Sequence, residues 1–319
     1  MSKAGPLSFF IGRHLELRKS LGFVLRNAQY VLAEFDSYLA KCFPHTTTVT
    51  RAMVTGYLQT LSHLELATLH DRIIHLRQFC RFLFQFDQDT YIPEKNLVPP
   101  TRTQRQPHIY TEAETKKVIA AALALPPAGS LRPHTYATIL SLLWVSGMRI
   151  GEVLRLNLDD FDAEKNIFHI RASKFFKSRL VPLSCSSTLA LGEYLGRRAT
   201  HGHDERPDAP FFVNERRKRC NYSTVGKTFL ALSRQLNLKT IQGRDPRLHD
   251  FRHAFATRYL NQVYHQGKNP AAALPLLATY LGHANITNTQ TYLHPSLSLL
   301  EKAAERFYEY ARGGEYERN

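Results

Sequence analysis

Along the first 90 residues, apolar side chains return at three- and four-residue intervals, the spacing of one helical face. Phe9, Phe10, Leu15, Leu17, Phe23, Val24, Tyr30, Val31, Leu32, Phe35 and Leu39 form one such run, and Met53, Val54, Tyr57 and Leu58 form a second. Leu66, Leu69, Ile73, Ile74, Leu76, Phe79, Phe82, Leu83 and Phe84 form a third. Arg13, Lys19, Arg26, Lys41, Arg51, Arg72, Arg77 and Arg81 are scattered among these helices, as charges on a solvated face are. From about 94 to 109 the pattern stops. The segment EKNLVPPTRTQRQPHI has three prolines, the basic residues Lys95, Arg102 and Arg105, and little apolar content. It reads as a linker, and its charge would suit a strap along a polyanion.

Periodicity resumes at Thr111. Thr111 with Glu114 is a capping box, and Val118, Ile119, Ala122 and Leu123 follow on one helical face. A helix over 134–146 carries Ile139, Leu140, Leu142, Leu143 and Trp144 and stops at Gly147. Ile167 to Ile170 and Leu180 to Leu183 read as two short strands around the polar Lys174 to Lys177 segment, hence a hairpin. Helices are expected over 187–197, 223–236, 249–265 and 270–281. A last one follows the capping box Ser298 to Glu301, with Leu299, Leu300, Ala303, Ala304 and Phe307 as its apolar stripe, before Tyr308. That stripe fits packing on its own domain and docking on a neighbour equally. The fold class is therefore mainly α with a small antiparallel β-sheet. A helical N-terminal domain (1–95) and a linker (96–108) precede an α+β domain (109–319).

Charge changes the picture. Lys and Arg number 42 against 27 Asp and Glu, a formal charge of +15 in 319 residues. A surplus of this size calls for an anionic partner or serves solubility, and nucleic acid is the commonest such partner. Arg216-Arg-Lys-Arg219 is a further basic run, fit either for facing DNA or for a solvated loop. Cys42, Cys80, Cys185 and Cys220 lie far apart, which argues against a structural zinc site and a disulfide framework. Neither a secretory h-region nor an apolar run of about 18 residues is present, so no membrane span is expected. The expected location is cytoplasmic, with the nucleoid.

Four segments carry candidate chemistry. In Val145-Ser-Gly-Met-Arg-Ile-Gly-Glu152, an arginine two residues past a helix-ending glycine can reach back across the helix end. Ser173-Lys-Phe-Phe-Lys-Ser-Arg-Leu-Val-Pro-Leu183 puts lysines at a hairpin tip, ordinarily a surface position. In Arg247-Leu-His-Asp-Phe-Arg-His-Ala-Phe-Ala-Thr257, His249 and Arg252 are three apart and share a helical face, while Phe251 and Phe255 anchor another side in the core. In Leu281-Gly-His-Ala-Asn-Ile-Thr-Asn-Thr-Gln-Thr-Tyr292, Gly282 stops a helix, His283 follows it, and a polar stretch leads to Tyr292, one of fifteen tyrosines. Taken singly, each has an ordinary structural explanation.

In this order and spacing, the four segments resemble the boxes of the tyrosine recombinase (phage integrase) superfamily. The first box matches Gly147-Met-Arg-Ile-Gly-Glu152 and puts an arginine at Arg149. The hairpin lysine matches Lys174 through Lys-x-x-Lys-x-Arg-x-Val-Pro-Leu, with Lys177 a rival for the same role. The His-x-x-Arg motif falls on His249 and Arg252, and the Leu-Gly-His motif on His283, nine residues before Tyr292. The resemblance covers about 109–311 well. Residues 1–95 are similar to the family's core-binding (DNA-clamping) domain in composition and helix pattern only.

The resemblance implies a reaction on double-stranded DNA. Arg149 and Arg252 would neutralise charge on the scissile phosphate, since guanidinium matches phosphate and stays ionised. Tyr292 would attack to form a 3′-phosphotyrosyl link, Lys174 would protonate the departing 5′-oxygen, and His249 and His283 would hold phosphate or move protons. The covalent link conserves the phosphodiester energy, so no cofactor, metal or ATP is expected. The chain has neither a P-loop nor an obvious carboxylate cluster for two metals. Family members act as four protomers on two DNA sites, of one kind of chain or with partner recombinases. An integrase or transposase of a mobile element is the favoured role. A housekeeping chromosome-dimer resolvase, a type IB topoisomerase-like relaxing enzyme and a catalytically idle DNA-binding protein of this fold are the alternatives.

Overall fold

The computed structural model describes residues 5–23, 25–99, 106–171 and 178–282. The chain divides into two compact units, Met1–Gln104 and Arg105–Asn319.

The first unit contains helices α1 (Ser8–Ser20), α2 (Arg26–Cys42), α3 (Arg51–Thr60) and α4 (Leu66–Leu83). The first apolar run is split in two, because the backbone turns at Gly22 with φ +84°, a conformation glycine adopts without steric cost. Asp36 on α2 accepts the backbone N–H of Leu7 (2.9 Å) and the hydroxyl of Ser8, capping α1 from a neighbouring helix. Leu32, Phe35, Leu39, Val54, Leu76, Phe79 and Leu83 form the dry centre. Burying each such side chain contributes about 1.5–3 kcal/mol. Arg72, expected on a solvated face, is buried instead. Its Nη1 donates to Glu34 at 2.7 Å and to the Tyr57 hydroxyl at 2.8 Å, which satisfies the charge inside the bundle.

The second unit opens with α5 (Glu112–Leu123). The expected capping box forms: Thr111 Oγ1 accepts the Glu114 N–H at 3.1 Å, and the Glu114 carboxylate accepts the Thr111 N–H at 2.8 Å. Helix α6 (Arg132–Ser146) has Pro133 in its first turn, where a missing N–H costs nothing. It is buried on most sides and packs against α5, α8 and α10, which makes it the axis of the unit. A single turn, α7 (Ile150–Val153), follows Gly147 and is too short to show a helical period in the sequence.

The sheet is antiparallel with the order β1-β2-β3: β1 (Phe161–Asp162), β2 (Ile167–Ile170) and β3 (Arg179–Pro182). Strand β1 is too short to show alternation in the sequence, and β3 begins one residue earlier than the apolar pattern suggests. Phe168 pairs with Val181, Ile170 pairs with Arg179, and all four point to the same, inner face. Helices α8 (Cys185–Thr200), α9 (Tyr222–Gln235), α10 (Asp250–His265) and α11 (Pro270–Leu281) complete the described part. Phe251 is fully buried and lies flat on Tyr110, with ring centroids 4.2 Å apart, so α10 is pinned to the start of the unit. Phe255 stacks on Tyr280 of α11 at 5.4 Å. No helix among the described residues is long and apolar enough to cross a membrane.

Candidate active site at two helix ends

Helices α6 and α11 end alike. Gly147 (φ +59°) and Gly282 (φ +67°) both take the left-handed conformation. The last carbonyls of a helix lack intrahelical donors and form the negative end of its dipole, so they attract cations. Arg258 donates to Trp144 O in the last turn of α6 at 2.9 Å, and three further arginines converge on the carbonyls at and beside the two glycines. Arg252, in the first turn of α10, donates from Nη1 to Gly147 O at 3.0 Å and from Nη2 to Leu281 O at 2.7 Å, and so clamps the two helix ends together. Arg149 donates from Nη2 to Gly282 O at 3.1 Å. Arg179, at the inner start of β3, donates from Nε to Tyr280 O at 2.9 Å.

Glu152 of α7 organises this group. Its carboxylate accepts Arg149 Nη1 at 2.9 Å and the Arg149 backbone N–H at 3.0 Å. It also accepts both terminal nitrogens of Arg179, at 3.0 and 2.8 Å. Burial alone would push the Glu152 carboxyl up, but the hydrogen bonds and charge of Arg179, with those of Arg149, win and hold it at about 2. Two of the three guanidinium groups share this carboxylate while Arg252 rests on helix carbonyls, so the group as a whole is net cationic. Exposure separates their roles: the Arg149 side chain is 25% exposed, that of Arg179 11%, and Arg252 is buried. Helix carbonyls alone explain an arginine at each helix end, but not three converging guanidiniums with one of them still open to solvent.

His249 immediately precedes α10 and makes no side-chain capping hydrogen bond to it. Burial, then the charges of Arg252 and Arg247, keep its imidazole below the ordinary histidine value despite the opposing Asp250, so it is neutral at pH 7. One turn on, His253 packs edge-to-face on His249 with ring centroids 5.1 Å apart. Burial and the neighbouring His249 push His253 down to about 4. Asp250 is fully buried and accepts the Arg247 backbone N–H (2.9 Å) and its guanidinium (3.1 and 2.9 Å), which fastens the turn before α10.

Of the six residues singled out in the sequence, Arg149, His249 and Arg252 come together here. Lys174, His283 and Tyr292 lie outside the described residues, as do Lys177 and the Ser298–Glu301 segment. The sequence pattern signals an inward Arg179 but not that Glu152 is its partner. Alternation in β3 with Val181 inward also puts Arg179 inward, and a buried arginine needs an acid. The basic run 216–219 is mixed in character. Arg216, Arg217 and Lys218 are exposed, whereas Arg219 turns inward, donating to Leu154 O (3.0 Å), Leu156 O (2.9 Å) and Asn157 Oδ1 (2.6 Å).

A net-cationic cluster with fixed N–H donors has the chemistry to receive an oxyanion. Comparison with known proteins identifies the class. The sequence matches the phage integrase family over residues 110–298, and the chain belongs to that family, within the tyrosine recombinase superfamily. It is 35% identical to a Sinorhizobium fredii protein, y4rB, described as an integrase/recombinase, over 93% of this chain and 95% of that one. It is 29% identical to tyrosine recombinase XerC of Myxococcus xanthus, over 95% and 97% of the two chains. Among solved structures, XerH site-specific recombinase bound to its difH substrate aligns with a TM-score of 0.63 at 21% identity, over 88% of this chain and 79% of that one. The Tn1549 transposon integrase bound to circular intermediate DNA aligns with a TM-score of 0.64 at 18% identity, over 93% and 99% of the two chains. These likenesses establish the recombinase fold, mainly α with its small antiparallel sheet.

Proposed function

We propose that the chain is a site-specific recombinase that cuts and rejoins duplex DNA through a 3′-phosphotyrosyl link at Tyr292. The observation that carries this is the convergence of Arg149, His249 and Arg252 on one cationic centre from segments about 100 residues apart. Its remaining wall is the turn at Gly282, immediately before His283. In this reading, Arg149 and Arg252 bind the non-bridging oxygens of the scissile phosphate. The phosphate takes up Arg252 N–H groups in competition with the helix carbonyls of Gly147 and Leu281. The phenol oxygen of Tyr292 attacks phosphorus and the bond to the 5′-oxygen breaks. Lys174 gives that oxygen its proton, and a neutral His249 or His283 accepts the phenol proton. A 5′-hydroxyl from a second duplex then attacks the phosphotyrosine, returning the phenol and sealing the new strand.

The +15 formal charge supports a duplex DNA partner. The helical unit spanning 1–95 acts as a DNA clamp, the basic stretch 96–108 as its tether, and 109–319 as the catalytic domain. Four protomers would work on two paired sites, without a metal or nucleotide cofactor, in the compartment that holds the DNA. Within the family we favour a mobile-element integrase. The greater identity to the integrase/recombinase y4rB than to XerC supports it. The test uses nicked duplexes with a randomised core, selected for attachment that survives SDS. A covalent protein–DNA band is expected. Tight binding without any such band would instead mark an idle DNA-binding protein.

A further inference from the structure

Arg179 matches no role in the reaction as set out above, yet its surroundings are unusually demanding. It carries five N–H donors, and two lie side by side on the Glu152 carboxylate while a third goes to the last turn of α11. A Cβ added at Gly282 would lie 3.1 Å from its Nη1, so the turn before His283 is closed down against this guanidinium. In the chain it stands five residues after Lys174. One side chain therefore ties the strand that follows the lysine hairpin, the acid that orients Arg149 and the helix end that precedes His283. Lysine, a point charge without a planar fork, cannot make the paired contact with Glu152 and the contact with Tyr280 O together.

We infer that Arg179 is a positioning residue for the recombinase reaction, a strut that acts through Glu152 to hold Arg149 at the phosphate. It is not a third phosphate ligand. The Arg149 side chain is 25% exposed, whereas that of Arg179 is 11% exposed and has Nε, Nη1 and Nη2 all engaged within the protein. The inference rests on the recombinase reading, and its test separates the two.

The experiment compares full-length wild type with Arg179→Ala and Arg179→Lys on a duplex selected by covalent trapping. The same duplex is also made with a methylphosphonate at the scissile position, which removes one of the charges the arginines neutralise. For both variants, cleavage of the phosphodiester should fall on the order of 100-fold, the usual cost of losing preorganised charge stabilisation. Duplex affinity should stay within about threefold, because a buried strut leaves the phosphate-binding surface in place. On the methylphosphonate the loss should shrink to less than about tenfold, since less charge awaits Arg149. An equal loss on both duplexes with wild type active, or full activity in Arg179→Lys, overturns the role. A second readout does not depend on activity. By 13C NMR the Glu152 carboxyl should stay ionised to below pH 3 in wild type and titrate above about 4.5, the ordinary value, in Arg179→Ala. An unchanged titration overturns the strut. Absence of any adduct with wild type on all duplexes defeats the recombinase reading itself, and this role with it.

Discussion

Replacing Glu152 with glutamine keeps the shape of the site and deletes the carboxylate charge that Arg149 and Arg179 share. The side chain is 1% exposed and receives Arg149 and Arg179 together. Holding a carboxyl at about 2 rather than its usual 4.5 corresponds to roughly 3 kcal/mol in favour of the ionised, folded state, at about 1.4 kcal/mol per tenfold. Removing one partner from a buried ion pair independently costs about 3–5 kcal/mol, so the two estimates agree. Because the pKa is depressed in the fold, this stabilisation is complete above 4.5 and lost as pH falls toward 2. The difference between wild type and Glu152→Gln should therefore be about 3 kcal/mol at pH 7 and shrink to less than about half of that at pH 3. In thermal melts at pH 7 the catalytic unit should lose about 6–12 °C. Chemical denaturation of both proteins between pH 3 and 7 provides the check. A difference below about 1 kcal/mol at pH 7, or one that does not vary with pH, would refute the claim that Glu152 holds the arginines as an ion.

Three other outcomes follow from the same geometry. Gly147→Ala should cost about 2 kcal/mol or more, because φ is +59° and the new methyl meets the Phe255 ring at 2.5 Å, whereas Gly151→Ala, with open space around it, should stay within about 0.5 kcal/mol; thermal melts compare the two. His253 is pushed down to about 4 in the fold, so it opposes folding increasingly as pH drops from about 6.5, its unfolded value, toward 4. His253→Leu should flatten the stability profile in that window, and an unaltered profile would show that another group sets it. Binding to a random duplex should weaken steeply between about 50 and 200 mM salt, with a log–log slope near −0.9 per phosphate contacted. A flat dependence would mean that the +15 charge serves solubility alone.

Much of this fold can be read from sequence because its signals are local. The Thr111–Glu114 box, the stopping glycines Gly147 and Gly282, and the apolar face of α6 each act within a turn or two. The three-residue spacing of His249 and Arg252 likewise needs only one helix to make sense. What the sequence hides depends on distant partners. Arg72 reads as a surface charge until Glu34 and Tyr57 are beside it. Arg219 belongs to a basic run until the carbonyls of Leu154 and Leu156 claim it. Glu152 and Arg179 sit in motifs singled out for neighbouring residues, and only their juxtaposition across 27 positions shows that one acid orders two arginines. The flat contact of Phe251 on Tyr110 fixes α10, and no periodicity predicts it, because 141 residues separate the rings.

The most direct test maps the atom that bonds to DNA. Full-length protein is trapped on a nicked duplex, digested with trypsin and nuclease, and sequenced by mass spectrometry. The account predicts a nucleotide attached to Tyr292 and no adduct from Tyr292→Phe. A nucleotide on any other residue, or an undiminished adduct from Tyr292→Phe, would contradict it.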